Sequence, residues 1–316
     1  MPDKITRDRI DPNKIDTTPI PRPSWIKVDQ SRSETYAWLK TLMRRKELHT
    51  VCEEAHCPNM SECWGSGTAT FLVLGDICTR ACRFCDIKHG KPAEIDWKEP
   101  ERVARAVQAM GLKHAVITSV NRDDCEDGGA SIFAEIIQKI RTYQPGCSVE
   151  VLIPDFKGSL NALKIVMDAR PEILNHNIET VPRLFQQIQP HDRYTWSQAI
   201  LENAKCLEPE VLTKSGIMVG LGEAMEEIKA AMADLRDLGV DILTLGQYLQ
   251  PSRRHIAITR YYTLEEFDEL RDYGYSLGFR WVESAPLVRS SYHAFEQVRS
   301  LSNIYKNMTV DEVGTI

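Results

Sequence analysis

Six of the nine cysteines in this 316-residue chain fall between Cys52 and Cys85. Thiols scattered through an ordinary core would not bunch this way, so metal or redox chemistry is the first reading. The segment from Gly75 to Cys85 places Cys78, Cys82 and Cys85 in a C-x3-C-x2-C spacing. Thiolates are the usual protein ligands of iron–sulfur clusters, and a [4Fe–4S] cube normally takes four. A compact loop offering three leaves one iron open to a small molecule. A zinc knuckle is the alternative, with His89 as a fourth ligand, but structural zinc favours paired short Cys/His spacings.

Three cysteines with an aromatic residue, Phe84, before the third match the radical S-adenosylmethionine (SAM) pattern. There the open iron chelates SAM, and reductive cleavage yields a 5′-deoxyadenosyl radical that removes hydrogen from unactivated C–H bonds. No side-chain acid or base can do this, so the cofactor carries the hard step. A second triplet, Cys52, Cys57 and Cys63, stands in a C-x4-C-x5-C spacing within polar surroundings. It reads as a second cluster, with His56, a distant residue or a substrate completing the set.

These residues need a scaffold. Apolar, β-branched runs at 70–74, 115–119, 148–153, 173–177, 216–219 and 242–245 alternate with helical patterns at 101–110, 130–143, 160–169, 197–207, 226–238 and 264–277. Such alternation implies βαβ units and a parallel sheet. Six units suit a partial (β/α)6 TIM-like barrel whose site lies at the strand C-termini. A further helix is expected over 34–48. The first thirty residues, rich in proline and charge, read as an extended arm pinned by Trp25 and Ile26. The organisation expected is an extension over 1–69 carrying the first triplet, a barrel over 70–282, and a C-terminal extension over 283–316.

With 42% hydrophobic and 27% charged residues the composition is that of a folded protein with a sizeable core. A net charge of −6 argues against a general nucleic-acid role. No apolar run is long enough to span a bilayer. The N-terminus resembles neither a secretory signal nor a transit peptide. A cytoplasmic protein is expected.

Both triplets, together with Leu74–Arg80, Thr118–Asp124, His176–Arg183, Lys214–Glu223, Thr244–Pro251 and Arg289–Ala294, closely resemble the lipoyl synthase family of radical SAM enzymes. The ordered set runs from about Trp25 to Ala294. The resemblance implies insertion of two sulfur atoms, at C6 and C8 of an octanoyl chain carried on a lysine of a lipoyl domain. It implies two [4Fe–4S] clusters and SAM as cofactors. The cluster on Cys78, Cys82 and Cys85 cleaves SAM, and the cluster on Cys52, Cys57 and Cys63 is consumed as sulfur donor. Alignment of the Arg-Ser-Ser-Tyr motif makes Ser291 the fourth ligand of the second cluster, with Ser290 its less favoured neighbour. Partners implied are octanoylated carrier domains of 2-oxoacid dehydrogenase acyltransferases and the glycine cleavage H protein. An electron donor such as flavodoxin or ferredoxin, and an iron–sulfur carrier protein, complete the set.

For SAM itself, the sequence offers a Gly-rich turn at Asp127, Gly128 and Gly129, a second turn at Gly220 and Glu223, ribose contacts from Asn177 and Glu179, and Arg193 for the methionyl carboxylate. Each has a plainer reading as a turn or a solvated surface residue. Arg253, Arg254, His255 and Arg260 form a basic stretch suited to an acidic carrier domain. Cys125, Cys147 and Cys206 carry no assigned role. The competing readings are another radical SAM enzyme with an auxiliary cluster, or a non-enzymatic iron–sulfur or zinc scaffold. The Arg-Ser-Ser-Tyr motif and the first triplet favour lipoyl synthesis over the former, and the latter leaves the SAM-contacting loops unexplained.

Overall fold

The computed structural model describes residues 20–27, 33–65 and 69–301. The chain opens with α1 (Glu34–Arg45), β1 (His49–Thr50), α2 (Val51–Glu54) and α3 (Met60–Gly65). Next come β2 (Thr70–Val73), two short strands, β3 (Ile77–Cys78) and β4 (Lys88–His89), then α4 (Glu99–Met110) and β5 (His114–Ser119). The alternation continues through α5 (Ala130–Tyr143), β6 (Ser148–Leu152), α6 (Leu160–Asp168), β7 (Ile173–Asn175), α7 (Pro182–Ile188) and α8 (Tyr194–Leu207). It ends with β8 (Leu212–Val219), α9 (Met225–Asp237), β9 (Ile242–Gln247), α10 (Leu264–Ser276) and β10 (Trp281–Ser284). A last helical segment covers 294–301.

Eight strands form one sheet in the order β1-β2-β5-β6-β7-β8-β9-β10. Every neighbouring pair from β2 to β10 is parallel, and only β1 runs against its neighbour. This is the expected six-unit barrel, extended by a seventh parallel strand and an antiparallel edge. β2 and β9 are buried along their whole length, as parallel strands covered on both faces must be. Helix starts follow local chemistry. Ser159 caps α6, and Thr263 with Glu266 forms a capping box on α10.

The N-terminal segment is not a separate body. Leu39, Met43, Cys52 and Trp64 are buried in the same apolar cluster as Phe71 and Val73 of β2. Of the arm's two proposed anchors, Ile26 is buried while Trp25 is largely exposed; residues 1–19 lie outside the described residues.

The chain after β10 passes back through the barrel. Gln247 donates its backbone N–H to the Pro286 carbonyl at 3.1 Å, and Asn59 donates its side-chain amide to the Leu287 carbonyl at 2.7 Å. Gly246 of β9 makes room for this strap, because a Cβ there would run into the Val288 carbonyl. Gly216 of β8 likewise faces Asn177 and Thr244. Gly246→Ala is expected to destabilise the fold by about 1–3 kcal/mol, the usual cost of overpacking. Denaturant unfolding checks it. Wild-type stability in the variant would mean the strap does not pack against β9 as described.

Candidate active site

The second triplet sits in the loop after β2. Positive φ at Leu74 and Gly75, 68° and 92°, turns the chain sharply there. Leu74 donates its N–H to the buried Glu99 carboxylate at 2.8 Å, which ties the loop to α4. The β3–β4 pairing clips the far end, with Gly90 N–H on the Cys78 carbonyl. Cys78 Sγ accepts N–H groups from Arg80 at 3.4 Å and Asn121 at 3.3 Å.

Arg80 points inward and is buried. Its guanidinium donates to Asp123 (Nε, 2.7 Å), Asp155 (Nη2, 2.8 Å) and Asp192. Burial works against the charge, but Asp123 and Asp155 outweigh it and hold the guanidinium pKa above its ordinary value. Asp192 also lies 3.9 Å from Cys82 Sγ. The cage therefore fixes the loop from behind with charge-assisted bonds.

The first triplet is held by α2 and α3. Thr50 caps α2 and Cys52 lies in its first turn. A left-handed His56 (φ 48°) breaks the helix before Cys57, and Cys63 lies in α3. Cys52, Cys57, Cys63, Thr70, Arg289 and Ser291 line one small niche of about 20 Å³. The Thr70 hydroxyl donates to Ser291 Oγ at 2.8 Å, so Ser291 belongs to this niche. Ser290 instead accepts from Asn177 at 3.4 Å and does not line it. His56 pairs with Asp86 at 2.7 Å and is largely exposed.

Two cysteines of the first triplet and all three of the second also open on one large cavity of about 1140 Å³, whose wall includes Cys52, Cys57, Cys78, Cys82, Cys85 and Ser291. Burial, reinforced by mutual repulsion, pushes the Cys52 and Cys63 thiols up to about 12. Burial does the same to Cys85, to about 12, and raises Cys57 and Cys82. Thiolates here need a compensating cation, which iron supplies. Among the described residues no group of three Cys, His, Asp or Glu converges as a single metal ion requires. The donor sets are three thiols plus a hydroxyl in the niche, and three thiols facing open space in the loop. That matches one closed and one open-cornered cube. The same cavity presents buried polar atoms without partners: Ser119 Oγ, His176 Nε2 and Asn177 Oδ1.

Of the residues expected to meet SAM, Asn177 and Glu179 lie on the cavity wall. Asn177 donates to Glu179 at 3.1 Å. Burial raises the Glu179 carboxyl to about 7, opposed by the Asn177 amide and the Arg289 charge. The others line neither cavity. Asp127 caps its own turn, accepting N–H from Gly129 and Ser131, and a Cβ on Gly128 or Gly129 would strike Phe156 or Leu74. Glu223 accepts the N–H groups of Gly220 and Leu221 at 2.6 and 2.9 Å, so its carboxylate is spent on the strand-to-helix turn. Arg193 stacks on Trp196. In the basic stretch Arg260 is committed to Glu266 and Tyr262, whereas Arg254 and His255 line the cavity. Sequence reasoning missed the Arg80 cage, Ser119, His176 and Arg289. Arg80 could have been singled out by its place between Cys78 and Cys82. Asp155 and Asp192 carry no local signal.

The chain matches the Radical SAM superfamily over residues 72–235, and that is the class the barrel and the Cys78 loop define. Likeness to solved structures of this class is one of fold. SuiB of Streptococcus suis bound to S-adenosylmethionine aligns with TM-score 0.54 and 10% identity, over 72% of this chain and 54% of that one. The hydrogenase maturase HydG of Carboxydothermus hydrogenoformans aligns with TM-score 0.51 and 16% identity, over 74% and 66%. Sequence relatives are far nearer. The lipoyl synthase of Rubrobacter xylanophilus is 58% identical over 87% of this chain and 86% of its own. That of Thioalkalivibrio sulfidiphilus is 51% identical over 95% and 93%. The chain belongs to the lipoyl synthase family. It is thus a radical SAM enzyme that inserts sulfur, with SAM and [4Fe–4S] clusters as cofactors.

Replacing Arg80 by Met leaves two buried carboxylates, Asp155 and Asp192, and the half-buried Asp123 without their cation, and we expect a loss of about 3–5 kcal/mol. Urea unfolding of the anaerobic protein measures it. A loss under about 1 kcal/mol, the range of an exposed pair, would contradict the cage.

Proposed function

We propose that Cys78, Cys82 and Cys85 hold the cluster that binds SAM, and that Cys52, Cys57, Cys63 and Ser291 hold the cluster that gives up sulfur. The observation that carries this reading is that Cys52, Cys57 and Ser291 face one cavity with Cys78, Cys82 and Cys85, while Cys63 lines the adjoining niche. When bound, these groups supply a carbon-centred radical and the sulfide that quenches it. The chain's residues do the rest. Asn177 and Glu179 are suited to the ribose hydroxyls, and the orphaned Asn177 Oδ1 and Ser119 Oγ await donors. Leu72, Val120, Leu152 and Met218 give the same cavity an apolar wall for the octanoyl chain. The enclosure excludes water from a radical that any stray C–H or thiol would consume. Ser291 is the odd ligand of its set, since iron in these clusters prefers thiolate, and its corner is the one suited to open.

We assign as substrates the octanoylated domains of 2-oxoacid dehydrogenase acyltransferases and the glycine cleavage H protein. The exposed charged side chains on the cavity wall are all basic or imidazole: Arg22, His56, Arg83, Lys88, His89 and Arg254. The acids there, Asp86, Asp155, Glu179 and Asp192, are half-buried or buried. A basic rim on a chain of net charge −6 favours an acidic partner. We further assign reduction to a flavodoxin or ferredoxin, rebuilding of the second cluster to an iron–sulfur carrier protein, and the reaction to the cytoplasm. No helix among the described residues is long and apolar enough to cross a membrane. Nothing in the site calls for nucleic acid.

Anaerobic reconstitution with an octanoyl-lysyl peptide, SAM and reductant tests the assignment. Mass spectrometry should find two added sulfurs together with 5′-deoxyadenosine. Cys52→Ala should still form the nucleoside and add no sulfur; thiolation by that variant would remove the first triplet from the mechanism. For the rim, Arg22→Glu with Arg254→Glu should raise KM for a carrier domain at least tenfold at low salt, with the short neutral peptide unaffected. Equal effects on both substrates would argue against rim docking.

A further inference from the structure

The segment that presents Ser291 is held at two ends, and one hold lies deep in the barrel floor. On one side Asn59, between Cys57 and Cys63, grips the Leu287 carbonyl at 2.7 Å. On the other, Val298 and Leu301 pack on Ile173, Leu212 and Ile242, the first residues of three barrel strands. Between these fixed points Gln297 is fully buried. Its carboxamide oxygen accepts from Lys214 Nζ at 2.8 Å, and its amide donates to the Tyr292 carbonyl at 3.0 Å, one residue beyond Ser291. Lys214, also without exposure, pairs with Glu150 at 3.1 Å. Glu150 in turn accepts from Asn175 at 2.8 Å and lies 3.5 Å from His114.

A wholly buried ion pair is a poor device for stability, because apolar residues of similar volume usually do as well or better. It is good at fixing position, since every member must keep its partner or forfeit a desolvated hydrogen bond. We propose that Gln297 and Lys214 form a latch that positions the Ser291 strap, so that the barrel floor sets whether the second cluster can be held. This rests on the reading of Ser291 as that cluster's ligand. Gln297 is the positioning residue: one carboxamide joins the floor cation to the backbone beside Ser291. Lys214 and Glu150 hold Gln297 in its rotamer.

Gln297→Leu in the full chain tests the latch through amide hydrogen exchange over 288–293 and iron content after anaerobic reconstitution. Exchange there should speed at least tenfold. Iron should fall from about eight to about four per chain, one cube being lost. 5′-Deoxyadenosine formation should persist. Gln297→Glu guards against a simple folding failure. It keeps an acceptor for Lys214 but cannot, as a carboxylate, donate to Tyr292, so a cooperative thermal transition should remain while exchange over 288–293 still rises and the second cluster is still lost. Wild-type exchange in both variants overturns the latch. Faster exchange with both clusters retained overturns it as well, since the strap would then not need positioning. Ser291→Ala in parallel separates the premises: an unchanged second cluster there defeats the ligand reading, whatever the exchange data say.

Discussion

Six thiols gathered around two adjoining spaces, one buried and five half-buried, are the constraint on which the rest of the structure depends. Without metal the thiolates of Cys52, Cys57, Cys63, Cys82 and Cys85 are disfavoured, chiefly because burial strips their hydration, with repulsion from neighbouring thiolates adding to it at Cys52, Cys63, Cys82 and Cys85. A fold that gathers them has therefore spent stability on a site whose stability returns with the metal. This explains why the surroundings are so heavily braced. The Cys78 loop is tied to α4 by Glu99 and caged from behind by Arg80 and three aspartates. The first triplet is packed against β2 through Trp64 and Cys52 in the main apolar cluster.

The second consequence concerns closure. An open sheet that stops at β10 has a free side, and the chain itself fills it. The strap over 285–292 runs beside β9 and meets the N-terminal segment at Asn59 and Glu62 and the start of β2 at Thr70. The two extensions thus complete one niche that neither could form alone. Arg289 sits where that niche meets the large cavity, close to both Cys57 and Glu179. Charge is partitioned accordingly: acids within, exposed basic residues around the mouth.

Periodicity made the barrel legible. The helix at Ala130–Tyr143 was read to the residue, and the six parallel strands were each located within a few positions. β8 starts four residues early because Thr213, Lys214 and Ser215, though buried, are polar and break the apolar run. β10 escaped notice because four residues with one fully apolar position give no pattern. The short helices α2, α3 and α7 are set by tertiary packing rather than by amphipathic repeats. The two cysteine triplets are legible as candidate ligands because cluster chemistry demands cysteine at fixed spacing. Small-molecule contacts are not, since a glycine turn that meets a ligand and one that packs against Leu74 look alike in sequence. Lys214 and Gln297 stand 83 residues apart, and only the fold joins them.

The central claim is that sulfur passes from the cluster of the first triplet to a chain lying in the shared cavity. The direct measurement is a single anaerobic turnover by protein whose cluster sulfide carries a heavy isotope, with excess light sulfide in solution. Mass spectrometry of the octanoyl-lysyl product should find both inserted sulfurs heavy. A product carrying light sulfur would contradict the account, because the sulfide would then have come from outside the site.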